Sequence, residues 1–353
     1  MATNQFNWVN PWRVAQRAKV PFLFFIGGRG IGKTYNTLLE HYNAIMSGDA
    51  AKVLYMRLTP LEMDLAASED ENPYKKINKD NNMSVNFQKV KGLKKIDLYD
   101  IFSDDGDDPE KIGLGVALPT FKNLRGVDFS DYDYIYFDEF IPTEHVRATP
   151  EIKKAGYLFK QAYETINRNR EILGYPPVQV IFTANAFSLD SSILKQFGLI
   201  NVIASMQQKG QHRYTNTERG IYVELCEAPD IAAAKRDTAL YRALKDDDEL
   251  IKLNIENAFE DKSFRLVNNR ARIIEYQPLV KFNNLVIYRH KSTGALYCAS
   301  RACDSAPEEY TNVNKKKFLL RWGSRLRMIV YDEKITFDRS DTYYQLCDVL
   351  EKR

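Results

Sequence analysis

Residues Gly27, Gly28, Arg29, Gly30, Ile31, Gly32, Lys33 and Thr34 form one G-x-x-x-x-G-K-[ST] stretch. Such a loop is chemically suited to gripping phosphate. Its backbone N–H groups and the following helix N-terminus cradle oxygens, the lysine reaches the β- and γ-phosphates, and the threonine hydroxyl holds Mg²⁺. The flanks suit this chemistry. Residues 20–26 (VPFLFFI) read as a buried strand, and residues 35–46 carry Leu38, Leu39, Tyr42 and Ile45 at helical spacing. ATP and Mg²⁺ are the expected ligands.

Hydrolysis needs a metal carboxylate and a group that activates water. Residues 135–139 (IYFDE) supply both. The apolar strand delivers Asp138 to the sheet edge, where it can hold the metal through water, and Glu139 can polarise the attacking water. An adjacent Asp-Glu marks ATPases with a catalytic glutamate. The next apolar run, residues 178–184 (VQVIFTA), ends at Asn185. Asn185 is either a sensor of the γ-phosphate or an ordinary turn residue. Positive charge for the transferring phosphoryl group has several candidates. Arg168 and Arg170 end a long helical stretch, where they serve either a neighbouring site or the helix dipole. Lys122 and Arg125 lie in a loop before Asp138.

These groups need elements to hold them. Strand-like runs at 52–58, 132–140 and 178–184 alternate with helical stretches, the longest at 149–173. That alternation predicts an α/β fold with a mainly parallel sheet. The intervening 59–131 is more polar, with short β-like runs at 84–88, 96–102 and 112–118. The acidic patch Asp104, Asp105, Gly106, Asp107, Asp108 lacks the calcium-loop pattern and reads as a solvated turn. The organisation expected is an ATPase domain over 1–223, a helical linker over 224–261, and a small α+β domain over 262–353. In the last, strands are expected at 272–276, 285–290, 295–300 and 327–331, before a closing helix.

Composition sets bounds. The 353 residues include 44% apolar types, enough for a large core, and the net charge of +3 is mild. Charge alone neither requires nor excludes nucleic acid. Cys226, Cys298, Cys303 and Cys347 have no metal-binding spacing and read as free thiols of a reducing compartment. No apolar run approaches a membrane span, so a soluble cytoplasmic protein is expected.

Four elements together, residues 26–34, 136–141 (YFDEFI), 168–171 (RNRE) and 184–186 (ANA), resemble the genome-packaging ATPases of small tailed phages, the terminase-like motors of phi29-like podophages. The strong resemblance covers about residues 20–190. It implies a P-loop NTPase of the additional-strand, catalytic-glutamate class, followed by a helical linker and an RNase H-like domain. It implies a homo-oligomeric ring, a pentamer in that family, docked on the portal of an empty capsid in the host cytoplasm. That ring drives double-stranded DNA inward, in some cases with a structural RNA, and is absent from the mature virion. By resemblance Lys33 and Thr34 bind phosphate and metal, Asp138 holds the metal, Glu139 is the base and Asn185 the coupling residue. Arg168 is the trans-acting finger, an element worth on the order of 10³ to 10⁵ in rate.

Two features depart from the family. Residues 57–60 (RLTP) lack its basic richness, which leaves a positive charge from that loop open, and the acidic insertion near Asp104 is peculiar to this chain. In the last domain the hairpin 286–290 and 296–299 carries no aspartate, so an inactive nuclease-like domain is expected, with Asp304, Asp332 and Asp338 poorly placed. Its basic run, Lys315, Lys316, Lys317, Arg321, Arg325 and Arg327, suits a phosphate backbone, an acidic partner or a solvated face equally. A DNA-packaging motor is the leading reading. The alternatives are a helicase-like translocase, a terminase with nuclease activity, or a nucleotide-gated scaffold.

Overall fold

The computed structural model describes residues 6–92, 97–104, 108–124, 126–142, 149–185, 188–244, 251, 261–268, 270–300 and 306–351. Contacts divide the chain into two compact units, one of residues 1–197 and 206–260, the other of residues 198–205 and 261–353.

The first unit is built on a sheet of nine strands. Helix α1 (Pro11–Ala18) starts on the side-chain cap of Asn10. Then come β1 (Phe22–Gly27), α2 (Lys33–Met46), β2 (Lys52–Arg57), α3 (Pro60–Ala66) and α4 (Lys75–Asn81). β3 (Val85–Lys89), β4 (Leu98–Ser103), β5 (Glu110–Ala117), a 3₁₀ turn (Leu118–Asn123) and β6 (Tyr132–Asp138) follow. Next in the chain are α5 (Pro150–Lys153), α6 (Ala155–Asn167), β7 (Gln179–Ala184), α7 (Ser192–Phe197) and α8 (Ile200–Gln208), then β8 (Arg213–Asn216), β9 (Ile221–Cys226), α9 (Pro229–Arg236) and α10 (Ala239–Ala243). Of these, α8 belongs to the second unit up to Ser205.

The order is β3-β4-β5-β2-β6-β7-β1-β9-β8. β5, β2, β6, β7, β1 and β9 pair in parallel, while β3–β4, β4–β5 and β8–β9 pair antiparallel. The sheet therefore extends the expected parallel core with antiparallel strands at both edges. β7 lies between β1, which feeds the glycine-rich loop, and β6, which ends at Asp138.

Period-two alternation assigns the aromatics to faces. Phe24 stacks on its cross-strand partner Phe182 with centroids 4.3 Å apart, and Phe140, Phe159 and Phe197 close around them. Leu23, Phe25 and Ile181 join the other buried cluster, with Trp12 of α1 and Leu38 of α2. In β5, a Cβ on Gly113 would stand 2.6 Å from the Val53 carbonyl, so a larger residue there would push β2 away.

The structure corrects two expectations in this unit. The helix expected over 149–173 is two helices, and α6 ends at Asn167, because Arg168 takes φ 43° and ψ −126°. β9 pairs with β1 through Cys226, so a domain boundary at 223 would cut a strand. Helices α9 and α10 fall within the stretch expected as a linker, and 245–250 and 252–260 lie outside the described residues.

In the second unit, α11 (Lys262–Leu266) precedes a five-stranded mixed sheet of β10 (Tyr276–Phe282), β11 (Leu285–His290), β12 (Leu296–Ser300), β13 (Glu309–Tyr310) and β14 (Ile335–Phe337). Their order is β13-β10-β11-β12-β14, and Phe282, Ile287, Phe318, Leu326, Phe337 and Leu346 are among the core residues beneath it. The strand expected at 272–276 is a 3₁₀ turn (Ile273–Glu275) leading into β10. The strand expected at 327–331 is helix. α12 (Lys315–Phe318), a π-turn (Leu319–Gly323) and α13 (Ser324–Tyr331) follow one another without a break. The run Met328-Ile329-Val330 looks strand-like, but only Leu326 of α13 is fully buried, so tertiary packing rather than propensity decides. The closing helix is α14 (Ser340–Leu350).

Candidate active site

The loop between β1 and α2 depends on two left-handed glycines, Gly30 at φ 68° and Gly32 at φ 101°. Most side chains would be strained there. Ile31 between them is buried, and its carbonyl accepts from the Val9 N–H at 2.9 Å, which fastens the loop to the chain before α1.

Lys33, at the start of α2, is buried. Its ammonium donates to the carbonyls of Gly27 at 2.9 Å and Gly28 at 2.7 Å, and to Asn185 Oδ1 at 3.0 Å. Burial lowers its pKa to about 8, while the nearby Asp138 and Glu139 act in the opposite sense. Asn185 turns its other end to Glu139, its Nδ2 standing 3.3 Å from Oε1. One amide thus joins the loop lysine to the candidate base.

Asp138 is buried at the end of β6. Thr34 Oγ1 at 3.2 Å, Tyr136 OH at 3.0 Å and Thr183 Oγ1 at 2.7 Å donate to its Oδ1. Its Oδ2 accepts from Tyr55 OH at 3.2 Å and Arg57 Nη1 at 3.1 Å. Burial and the adjacent carboxylate push both tyrosines well above their ordinary pKa, so they stay protonated donors. Glu139 follows in a left-handed conformation, φ 52°, at the point where the strand ends. Its Oε2 accepts from Arg57 Nη2 at 2.7 Å. Strain at a non-glycine residue beside a reactive group is a recurring property of active sites.

Arg57 corrects a further expectation. The 57–60 loop is poor in basic residues, yet its first residue supplies the positive charge. Burial opposes the charge of Arg57, but Tyr55, Asp138 and Glu139 together hold it far above its usual pKa. Its Nε is buried with no hydrogen-bond partner among the described residues, which leaves one donor over. A lone arginine at the end of a strand gives no sequence signal. Only the strand register could single it out: Met56 pairs with Phe137, which brings Arg57 level with Asp138. Tyr55, Tyr136 and Thr183 are hidden in the sequence for the same reason, since each sits within an apolar run that reads as core.

The other expected cations lie elsewhere. Arg168 donates to the Thr165 carbonyl at 3.1 Å and the Val127 carbonyl at 2.6 Å. Arg170 pairs with Asp133 and donates to the Pro176 carbonyl at 3.1 Å. Asp133 is the second residue of β6 and Asp138 the last, so the Arg170–Asp133 pair stands roughly 17 Å from Asp138 of its own chain. Lys122 is exposed on the 3₁₀ turn after β5, and Arg125 lies outside the described residues. In the second unit Arg321 pairs with Glu308 at 2.6 Å, Arg325 lies over Trp322, and Arg327 donates to the Leu350 carbonyl at 2.7 Å. Lys316 and Lys317 are exposed and Lys315 is half-buried. Cys226 and Cys298 are buried and Cys347 half-buried, none of them in a disulfide, and Cys303 and Asp304 lie outside the described residues. Asp332 pairs with Lys334, and Asp338 is buried beside Arg339. No helix among the described residues is long and apolar enough to cross a membrane.

A large sheet that gathers a glycine-rich loop, a buried aspartate and an adjacent glutamate at one edge is an arrangement suited to nucleotide hydrolysis. The chain belongs to the family described as Podovirus DNA encapsidation protein (Gp16), whose model matches residues 4–318. Among solved structures it is similar to the Phi-28 gp11 DNA packaging motor, with a TM-score of 0.60 and 15% identity, covering 99% of both chains. It is likewise similar to a chain of the bacteriophage Phi-29 viral genome packaging motor assembly, with a TM-score of 0.61 and 17% identity, covering 98% of this chain and 99% of that one. At these identities the likeness is one of fold. No curated protein sequence matches the chain.

Proposed function

We propose that this protein is the ATP-driven motor that moves double-stranded viral DNA through a portal into a preformed capsid. The observation that carries the reading is the Lys33–Asn185–Glu139 chain of hydrogen bonds, which ties phosphate binding to the residue that activates water. The position of β7 between β1 and β6 supports a P-loop NTPase of the additional-strand, catalytic-glutamate class.

In this reading Lys33 and the loop amides of residues 27–34 bind the β- and γ-phosphates of ATP. The Thr34 hydroxyl and the Asp138 carboxylate, 3.2 Å apart, are hard oxygen donors that suit Mg²⁺. When bound there, the metal neutralises charge that develops on the phosphates. Glu139 orients the attacking water, and Arg57 holds it until the γ-phosphate arrives. Asn185 loses its bond to Lys33 when the lysine turns to phosphate, so it reports nucleotide state to Glu139. Arg168, remote from its own site, serves as the finger of the next subunit in a ring, with Arg170 steadied by Asp133 behind it. Lys122 and Arg125 remain further basic groups for that subunit boundary.

The ring is a homo-oligomer, pentameric by resemblance, working in the host cytoplasm with portal, DNA and in some systems a structural RNA. The stretch after β9, residues 227–260, acts as the linker. The second unit is an RNase H-like domain without nuclease activity, for its central strands β11 and β12 carry no carboxylate. Lys315, Lys316 and Lys317, with Arg321 and Arg325, contact the phosphate backbone of DNA or an acidic partner surface.

The test is ATP-dependent protection of DNA from nuclease by purified empty capsids with this protein. Protection by the wild type and none by Lys33→Ala supports the motor. ATP hydrolysis without protection, with portal-bearing capsids supplied, overturns it.

A further inference from the structure

Helix α9 leaves the sheet just after β9, the strand beside the phosphate loop. Two contacts seat it. Ile231 is buried in the core cluster that also holds Ile31 of the loop, and Asp230 accepts from the Asn7 backbone N–H at 2.6 Å and its side chain at 3.3 Å. Lys235 stands four residues after Ile231 and therefore on the same helix face. Its ammonium donates to the carbonyl of Arg29, at the crest of the loop. A Cβ on Gly30 would lie 3.7 Å from the same nitrogen.

A peptide unit has two polar ends. In a trans peptide the carbonyl and the following N–H point in opposite directions, and the chain has no cis bond among its described residues. A cation on the Arg29 carbonyl therefore fixes the Gly30 N–H facing away from Lys235. It also polarises that N–H, since a hydrogen bond at one end of an amide strengthens the other. Loops of this type hold phosphate with such N–H groups. The two ammonium groups, Lys33 and Lys235, bear on one loop, and each feels the cost: burial lowers the pKa of Lys235, and Lys235 is among the influences that lower that of Lys33. A bound phosphate anion would relieve both.

We propose that Lys235 is a positioning residue for nucleotide phosphate: it holds the 29–30 peptide with its N–H presented to the ligand and so sets the affinity for ADP and ATP. The inference rests on the reading of residues 27–34 as a nucleotide site. On this proposal the Gly30 N–H meets the β-phosphate, which does not react, so its effect is equal on ground and transition states. Such uniform binding alters KM and leaves kcat alone.

The experiment uses the full chain and three variants, Lys235→Met, Lys235→Gln and Lys235→Arg. ADP affinity is measured by calorimetry, and kcat and KM for ATP by steady-state assay. The expected result is a rise of about tenfold in the ADP Kd and the ATP KM for Lys235→Met, with kcat within about twofold, the size of one charge-assisted hydrogen bond lost in part. Lys235→Arg should recover most of the affinity, and Lys235→Gln stands in if the Met variant does not fold. An unchanged ADP Kd in the Met or Gln variant overturns the proposal. So does a fall in kcat at constant KM, the mark of a merely structural loss, and so does an Arg variant as weak as Met. Wild-type protein that fails to bind ADP at all refutes instead the nucleotide site itself.

Discussion

Arg57 Nη2 stands 2.7 Å from Glu139 Oε2, and the same guanidinium reaches Asp138 through Nη1 at 3.1 Å. One buried cation thus spans Asp138 and the candidate base. Replacing Arg57 with alanine removes the partner of a buried aspartate, which costs about 3 kcal/mol of stability. It also frees Glu139 from its set position. ATP turnover should fall at least about tenfold, since misplacing a catalytic group by an ångström has effects of that size or larger. Urea denaturation and steady-state kcat check the two halves separately. An Arg57→Ala protein as stable and as active as wild type would remove the clamp from the mechanism.

Nucleotide affinity should depend on pH through Lys33. Its folded pKa, lowered to about 8 by burial, lies in the accessible range. Phosphate binds the protonated ammonium. The ADP Kd is therefore expected to be flat below pH 8 and to rise toward about tenfold per unit above it. Stability moves the other way: between pH 8 and the unfolded value of 10.5 the unfolded chain binds more protons, so raising pH stabilises the fold. Calorimetric titrations from pH 7 to 10 measure the first effect, and a flat profile contradicts the assignment.

His41 should make the first unit sensitive to acid. It is buried against Trp12 with ring centroids 4.1 Å apart, and its Nε2 lies 3.0 Å from the Ala51 carbonyl, so that nitrogen carries the proton of the neutral ring. Burial lowers its pKa from 6.5 to about 4. Below pH 6.5 the unfolded state takes up a proton that the folded state refuses. Stability is then lost as pH falls toward 4, by about 2 kcal/mol between pH 6.5 and 4.5. Urea midpoints across that range, compared with His41→Gln, should show the slope in wild type alone.

Arg168 should act on a neighbour. Variants Arg168→Ala and Lys33→Ala are each expected to be inactive, whereas mixed subunits regain activity at interfaces that join an intact Lys33 to an intact Arg168. With random equal mixing about a quarter of the interfaces qualify. Recovery near that fraction is the expected outcome in an ATPase assay, and no recovery at any ratio argues for a role within one subunit.

Some of this architecture is legible in local pattern alone. β1, β2, β6 and β7 are apolar runs closed by turn residues, and the loop between β1 and α2 has a spacing tied to its chemistry. These are short-range properties, and burial on both faces writes them plainly as continuous apolar stretches. β10, interrupted by Pro278, and α13, with its β-branched run, carry local signals contrary to the structures they adopt. β8 and β9 give no clear strand signal because their runs are short and mixed in character.

From the sequence come the glycine-rich spacing of Gly27 to Thr34 and the position of Asp138 and Glu139 after an apolar strand, for such features depend only on neighbours along the chain. It could not rank Asn185, Arg57 or Lys235, which are 152, 24 and 202 residues from Lys33 in number. Tertiary structure decided those. Parallel pairing sets the ends of β1, β2, β6 and β7 at one sheet edge, and β9 places α9 beside the loop. Only that register brings Asn185 between Lys33 and Glu139. It also sends Arg168 to the far end of α6, away from the site that its own chain builds.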